Sequence, residues 1–366
     1  MPRGRTLRAM ASEIIITEPH LKDAVRAIFA AAGSNPRECD LAAAHLVEAN
    51  MRGHDSHGVG MIPAYISNFN AGELVLNQTP EVVLDSGAML VCDGRLGLGQ
   101  AIAHDAVAMA VERAMQNGSC ILALRNAHHI GRIGHWSEQC AAAGLVSVHM
   151  VNVVSEPVVA PYGGRAARLV TNPFSAGIPR RGAPPVIVDF ATSKLAMGKV
   201  RVAYNKGIPL PPDTLLDHEG EPTTNPAHMF EEPLGAILPF GGHKGWALGL
   251  ACELIAGALT GGGTMNSRRK RTAIINNMVS MIISPEAMGT SERFNAEMEA
   301  FIAWAKSPPP GREPTVQIAG EPELATRAAR LVHGIPVDPT TWEQILASGE
   351  AVGLDRSRLS AVAGLS

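Results

Sequence analysis

Several absences narrow what this chain can be. No apolar run approaches the ~18 residues that a membrane-spanning helix needs, and the N-terminus has no signal-peptide core. The five cysteines, Cys39, Cys92, Cys120, Cys140 and Cys252, stand singly in apolar surroundings, with no CxxC pair and an odd count. They read as reduced core thiols of a cytoplasmic protein. No HExxH spacing surrounds His128, His129 and His135, and no carboxylate flanks them, so no metal is assigned there. A net charge of -3 gives no global attraction to nucleic acid or to an anionic membrane surface. The basic run Arg268-Arg-Lys-Arg271 reads as a solvated loop.

What is present fits a globular protein. Hydrophobic residues make up 46% and charged residues 18% of 366 residues, enough for a large core over two or three structural units. Met1 to Ala11 reads as a frayed leader. Leu21, Ala24, Val25, Ile28, Phe29 and Ala32 fall at helical spacing before a stop at Gly33. Asn35 as cap, Pro36 in the first turn and Glu38 three residues after the cap open a second helix with Cys39, Ala42, Ala43, Leu46 and Val47 on its apolar face. This hairpin delivers the chain to Arg52-Gly-His-Asp-Ser-His-Gly58, where Gly58 turns the backbone and His57 projects from the helix end. An imidazole exchanges protons near neutral pH, so His57 is a candidate acid or base.

Met89 to Asp93 reads as a strand, and Gly97-Leu-Gly-Gln-Ala-Ile102 precedes a helix from Ala101 to Met115. The pattern approaches a dinucleotide fingerprint and then departs from it. Ile102 replaces the third glycine, and the strand Cys120 to Leu124 ends in Arg125-Asn126 where an acidic residue would hold a ribose. A tight glycine turn before an ordinary helix is the better account.

From Asn126 to Pro173 polar, backbone-bending residues stand at both ends of buried scaffold. Trp136 to Ala143 reads as a helix ended by Gly144, Leu145 to Val154 as a buried strand and Pro157 to Gly164 as a loop. Val170-Thr-Asn-Pro173 presents a hydroxyl and an amide before a proline-enforced turn. Val186 to Ser193 reads as a strand ending at Asp189, which either caps a helix starting near Ser193 or polarises an imidazole across a cleft. Lys206 to Pro226 reads as a long surface excursion. Pro239-Phe-Gly-Gly-His-Lys-Gly245 leads into a helix from Trp246 to Leu259, a candidate anion cradle. A core strand (Ile274 to Ile283), a helix capped by Ser291 and running to Lys306, a linker at Pro308 to Gly311 and a helical tail interrupted at Pro336 and Pro339 complete the chain.

Asp55-Ser-His-Gly58, His129-Ile-Gly131, Thr171-Asn-Pro173, Asp189-Phe-Ala-Thr-Ser193, Gly242-His-Lys-Gly245, Gly320-Glu-Pro322 and His333-Gly-Ile-Pro336 together resemble the signature blocks of the non-Rossmann malate/L-lactate dehydrogenase family, in the family's order. Gly53-His-Asp-Ser-His-Gly58 with Val59-Gly-Met-Ile-Pro63 and the His128-His129 pair most resembles its hydroxycarboxylate dehydrogenase B branch. The resemblance implies an α/β fold in which a non-Rossmann mixed-sheet domain (81-311) binds NAD or NADP and a largely helical domain is made from both termini (12-80 and 312-366). It implies a homodimer and a small 2-oxo or 2-hydroxy acid as substrate. His57 would exchange the proton, with Ser56, His129 and Asp189 beside it. Thr171, Asn172, Pro173, Asp189, Phe190, Ala191, His243, Lys244, Gly320, Glu321 and Pro322 would hold the cofactor, and Thr171 would also face the substrate. Many members have an arginine where this chain has Met61, which leaves Arg52 to grip the substrate carboxylate. Val170 replaces a common glycine.

Three rivals remain at this stage. One is reduction of a cyclic imino acid such as piperideine-2-carboxylate. The others are a metal-dependent hydrolase built on His128, His129 and His135, and a non-catalytic binding protein.

Overall fold

A computed structural model describes residues 13–267, 273–313 and 315–365. The expected leader and the basic run Arg268 to Arg271 lie outside the described residues. The chain enters through β1 (Ile14–Ile16), α1 (Glu18–Ala32), α2 (Pro36–Met51) and α3 (Ile62–Asn70). Gly33 ends α1 in the left-handed conformation, at φ 102. The Asn35 side chain accepts from Glu38 N at 2.9 Å and opens α2.

β2 (Glu81–Asp85), β3 (Met89–Asp93), α4 (Gly99–Asn117), β4 (Ser119–His128), α5 (Gly134–Ala142) and β5 (Val146–Val154) follow, then β6 (Phe174–Ile178), β7 (Val186–Phe190) and α6 (Met197–Lys206). β8 (Leu215–Leu216), β9 (Pro222–Thr223) and β10 (Ala236–Ile237) form a small sheet. Beyond it come α7 (His243–Cys252), β11 (Ile275–Ile283), α8 (Ser291–Lys306), α9 (Glu321–His333), β12 (Ile335–Val337), α10 (Pro339–Ala351) and α11 (Arg356–Val362).

The main sheet runs in the order β2-β3-β4-β11-β5-β6-β7. Only its β3–β4 pair is parallel. This is a mixed sheet and not the all-parallel Rossmann arrangement. Alternate residues Leu90, Cys92, Cys120, Leu122, Leu124 and Ile282 pack under Ile102, Ala106 and Val107 of α4 and under Trp136 of α5. The opposite face is open near one end. There Met89, Ile121 and Met281 lie side by side in register and are 48%, 45% and 40% exposed. A second core joins α1, α2 and α3 to residues 335–363, and β1 pairs with β12 from the far end of the chain.

Several local expectations are corrected. β4 continues past Leu124 to His128, because β11 pairs with it along that length. The Lys206 to Pro226 excursion contains β8, whose buried Leu215 joins a core with Val159, Leu169 and Val200. No helix starts at Ser193, because Lys194 N donates to Leu238 O and keeps the segment extended until α6 begins at Met197. The helix expected from Trp246 starts at His243 and widens into a π-helix over Glu253–Leu259. Thr290, not Ser291, is the N-cap of α8, and Ser291 Oγ accepts from Arg181 instead. Pro336 interrupts no helix, since it pairs with Ile15 in the two-stranded β1–β12 sheet.

Candidate active site

His57 does not project from the end of α2, which stops at Met51. It ends a 3-10 turn, Asp55–His57. Asn50 Nδ2 donates to Asp55 Oδ1 at 2.7 Å, and Asn50 Oδ1 accepts from Val59 N at 2.8 Å, so one amide holds both sides of the turn. Arg330 of α9 grips the same carboxylate with two nitrogens, at 2.6 and 2.9 Å. Gly58 is required here, because a Cβ would collide with Asn50.

Ser56 Oγ meets His57 Nδ1 at 3.0 Å, leaving Nε2 as the ring nitrogen available for proton exchange. The His57 ring stacks on that of His129, centroid to centroid 5.7 Å. Gln100 donates to the Tyr65 oxygen at 2.9 Å, so the Tyr65 hydroxyl donates to His129 Nδ1 at 2.6 Å and the proton of neutral His129 resides on Nε2. Burial pushes His57 down to about 4; Asp189 pulls it upward, while His54 and Arg132 press it lower. His129, packed among His57 and His128, is driven well below its ordinary value, chiefly by burial.

The facing wall is built from strand ends. Asn172 is buried at φ 28, its Oδ1 accepting from Val153 N at 3.1 Å and its Nδ2 donating to Glu253 Oε2 at 2.8 Å. This exposes Thr171 and Pro173 on either side of it to the cavity. Asp189, at the end of β7, accepts from Gly134 N at 2.9 Å. It therefore caps a helix, but α5 and not the following one. Phe190 packs between Phe174 and Phe240, with centroids at 5.6 and 5.4 Å.

Between these walls lies a cavity of about 990 Å³. It brings together Arg52, Ser56, His57, His129, Thr171, Pro173, Asp189, Phe190, Ala191 and Pro322 of the expected site. Asn172 is buried behind the wall, and His243, Lys244, Gly320 and Glu321 do not line the cavity. Glu321 is occupied by Lys306 and by Ile318 N. The three histidines weighed as metal ligands have separate surroundings: His128 Nε2 bonds Asn68 at 3.0 Å, His129 bonds Tyr65, and His135 packs on Trp136. Among the described residues no three His, Cys, Asp or Glu side chains are grouped to hold a metal.

The profile of a family described as Malate/L-lactate dehydrogenase matches residues 16–346. The chain belongs to that family. It is 46% identical to hydroxycarboxylate dehydrogenase B of Escherichia coli (strain K12) over 340 residues, 92% of this chain and 94% of the other. It is 41% identical to L-lactate dehydrogenase of Cupriavidus necator over 310 residues, 84% of this chain and 88% of the other. The solved sulfolactate dehydrogenase of Methanocaldococcus jannaschii, 29% identical, superposes with a TM-score of 0.82 over 94% of this chain and 99% of that one.

In this member of the malate/L-lactate dehydrogenase family the cavity holds polar residues that sequence reasoning missed. Arg132 is the most buried charge among them, its side chain 2% exposed between Glu138 and Asp189. Tyr65 and Gln100 fix His129 from behind. Glu323 faces His54 at 3.5 Å. The one signal for Arg132 was its place in Gly131-Arg-Ile-Gly134, where a cation between two glycines marks an irregular backbone carrying a charge inward. Gly131 is at φ 74 and passes directly over His45, whose Nε2 accepts from Arg132 N at 2.9 Å.

Proposed function

We propose that the protein interconverts 2-oxo carboxylic acids and 2-hydroxy acids with NAD or NADP, using His57 to exchange the proton. The observation that carries this reading is the placement of His57. Its Nδ1 is held by Ser56 on a clamped turn, and the ring faces a cavity whose other wall is Thr171, Asp189, Phe190 and Ala191.

The residues fit a nicotinamide nucleotide. Val151, Val153, Phe190 and Phe240 offer apolar surface for a planar ring, with a hydroxyl at Thr171 and a carboxylate at Asp189 to orient an amide or ribose. When bound, the nicotinamide supplies or accepts the hydride. Thr171, Pro173, Asp189, Phe190, Ala191 and Pro322 would contact it, and Asn172 would support it from behind. His243 and Lys244 would meet only a part extending beyond the cavity.

The chain's own task is the proton. As hydride reaches C2 the carbonyl oxygen gains negative charge, and protonated His57 neutralises it; neutral His57 takes the proton back in the reverse direction. Stacking on His129 fixes the plane of the ring. His57→Ala should lower kcat for 2-oxo acid reduction by about 10²–10⁴-fold. Loss of NADH or NADPH absorbance with pyruvate, phenylpyruvate and piperideine-2-carboxylate would measure it. Near-normal turnover of the oxo acids by the variant would remove the role given to His57, and turnover of the cyclic imine alone would favour the rival substrate class.

We also propose a homodimer whose contact includes the open sheet face at Met89, Ile121 and Met281. Adjacent large apolar side chains in register on one face are the kind of surface that a stable partner covers.

A further inference from the structure

We infer that Arg132 is the anchor for the substrate's carboxylate, and that through it the site selects 2-oxo acids over the corresponding esters and amides. This rests on the oxo acid reading of the site and adds a recognition element to it.

The argument is one of elimination among the cations, followed by a positive feature. A 2-oxo acid presents its carboxylate next to the reacting carbon, and a guanidinium is the side chain that grips such a group with directed hydrogen bonds. Met61 lines the cavity but offers none. Arg52 lines it too, yet its Nε is hydrogen-bonded to Glu48 at 2.8 Å and its Nη1 is drawn to Glu138 at 3.2 Å in an ion pair without a hydrogen bond. Lys194 is exposed and donates to Asp213 O at 2.7 Å, and Lys199 is exposed as well.

Arg132 differs from these. Its Nη2 is fixed by Glu138 at 2.6 Å and its backbone N by His45, so both ends of the residue are anchored. Its Nη1 has Asp189 Oδ2 at 3.8 Å, beyond hydrogen-bond range, and among the described residues no nearer partner meets it. Asp189 Oδ2 is itself turned to Gly134 N. Gly134 also clears the space, because a Cβ there would collide with both Arg132 Nη1 and Asp189 Oδ2. The side chain as a whole is 2% exposed, so an acceptor for Nη1 can arrive only from the cavity that Arg132 lines.

The local charge supports the same conclusion. Arg327, Arg52 and Arg132 alternate with Glu48, Glu138 and Asp189 in a continuous chain of ion pairs from α9 to β7. Their charges cancel. An incoming carboxylate leaves the set one charge negative, and a proton on nearby His57 restores the balance. Binding of the acid thus favours the protonation state that reduction requires.

The test compares pyruvate and phenylpyruvate with their methyl esters in the wild type, Arg132→Met, Arg132→Lys and Arg52→Met, with cofactor affinity followed by NAD(P)H fluorescence. The wild type should prefer the acids. Arg132→Met should raise KM for the acids by about 10- to 100-fold, the range that a hydrogen bond to a charged group is worth. KM for the esters and affinity for the cofactor, whose proposed contact Asp189 lies beside Arg132, should move far less than KM for the acids, and Arg132→Lys should recover part of the loss. Should Arg132→Met fail to fold, the lysine variant and the wild-type competition between oxamate and oxamide decide. Oxamate should compete and oxamide should not.

Equal KM for acid and ester in the wild type overturns the inference. So does a preference abolished by Arg52→Met and kept by Arg132→Met, or a parallel loss on acids and esters. A wild type that reduces no 2-oxo acid with either nucleotide overturns the functional reading itself, and this inference with it.

Discussion

At the scale of single residues, the feature with most chemical consequence is a histidine pushed down to about 4 by burial. Such a group is neutral at pH 7 and, in the role proposed for it, is ready to accept a proton from a hydroxy acid. It must gain one before it can serve an oxo acid. The sign follows directly: reduction needs the protonated form, whose fraction in the free enzyme falls tenfold per pH unit above the pKa. Log kcat/KM for reduction should therefore decline by about one per unit between about pH 5 and 8, while oxidation of the hydroxy acid stays flat over that range. Initial rates in both directions measure this. A reduction profile flat from 5 to 8 would show that the proton comes from another group.

At the scale of elements, the π-helix after α7 positions the wall of the cavity. Its first residue, Glu253, accepts from Asn172 Nδ2 at 2.8 Å and from Met265 N at 2.6 Å. Asn172 precedes a proline and sits at φ 28, a conformation that surroundings must impose. Glu253→Gln puts a donor among donors. It should weaken cofactor binding by about tenfold, as expected for loss of a charge-assisted hydrogen bond, with a smaller change in kcat. Fluorescence titration and initial rates separate the two; an unchanged cofactor Kd would mean that the loop holds its shape without Glu253.

The same elements explain what the sequence made legible. α1, α2 and α4 carry local signals, namely periodicity, the Asn35 cap and the stop at Gly33, and these depend only on neighbours in the chain. β8 and β10 are two residues each, too short for alternation to register, and they exist because they pair with each other. As a cap, Asp189 was matched to the helix that follows it, and it caps one 55 positions earlier. Arg132 escaped notice for the same reason, since Glu138 and Asp189 meet it only in three dimensions. His57, Thr171 and Asp189, which line one cavity, could be singled out because their flanking glycine, proline and strand end are local, and the family blocks supplied their association.

At the scale of the molecule, the open sheet face sets the expected assembly. Met281→Asp, at one end of the row formed with Met89 and Ile121, should convert a dimer to monomer in sedimentation equilibrium, because a carboxylate desolvated against apolar neighbours is strongly unfavourable. A wild type that sediments as a monomer at micromolar concentration would refute the proposed dimer, and an unaltered dimer in the variant would move the contact to another surface.

The clamp on the His57 turn also has a consequence in time. Chains are made from the N-terminus, so the turn that ends at His57 is synthesised well before Arg330, which grips Asp55, and before β12, which pairs with β1. Until then the nascent chain can build its sheet while the His57 turn is held by Asn50 and by its own backbone hydrogen bonds. The second hold on that turn arrives only once Arg330 has left the ribosome, some 275 residues after Asp55, which ties the finished geometry of the site to a late stage of synthesis.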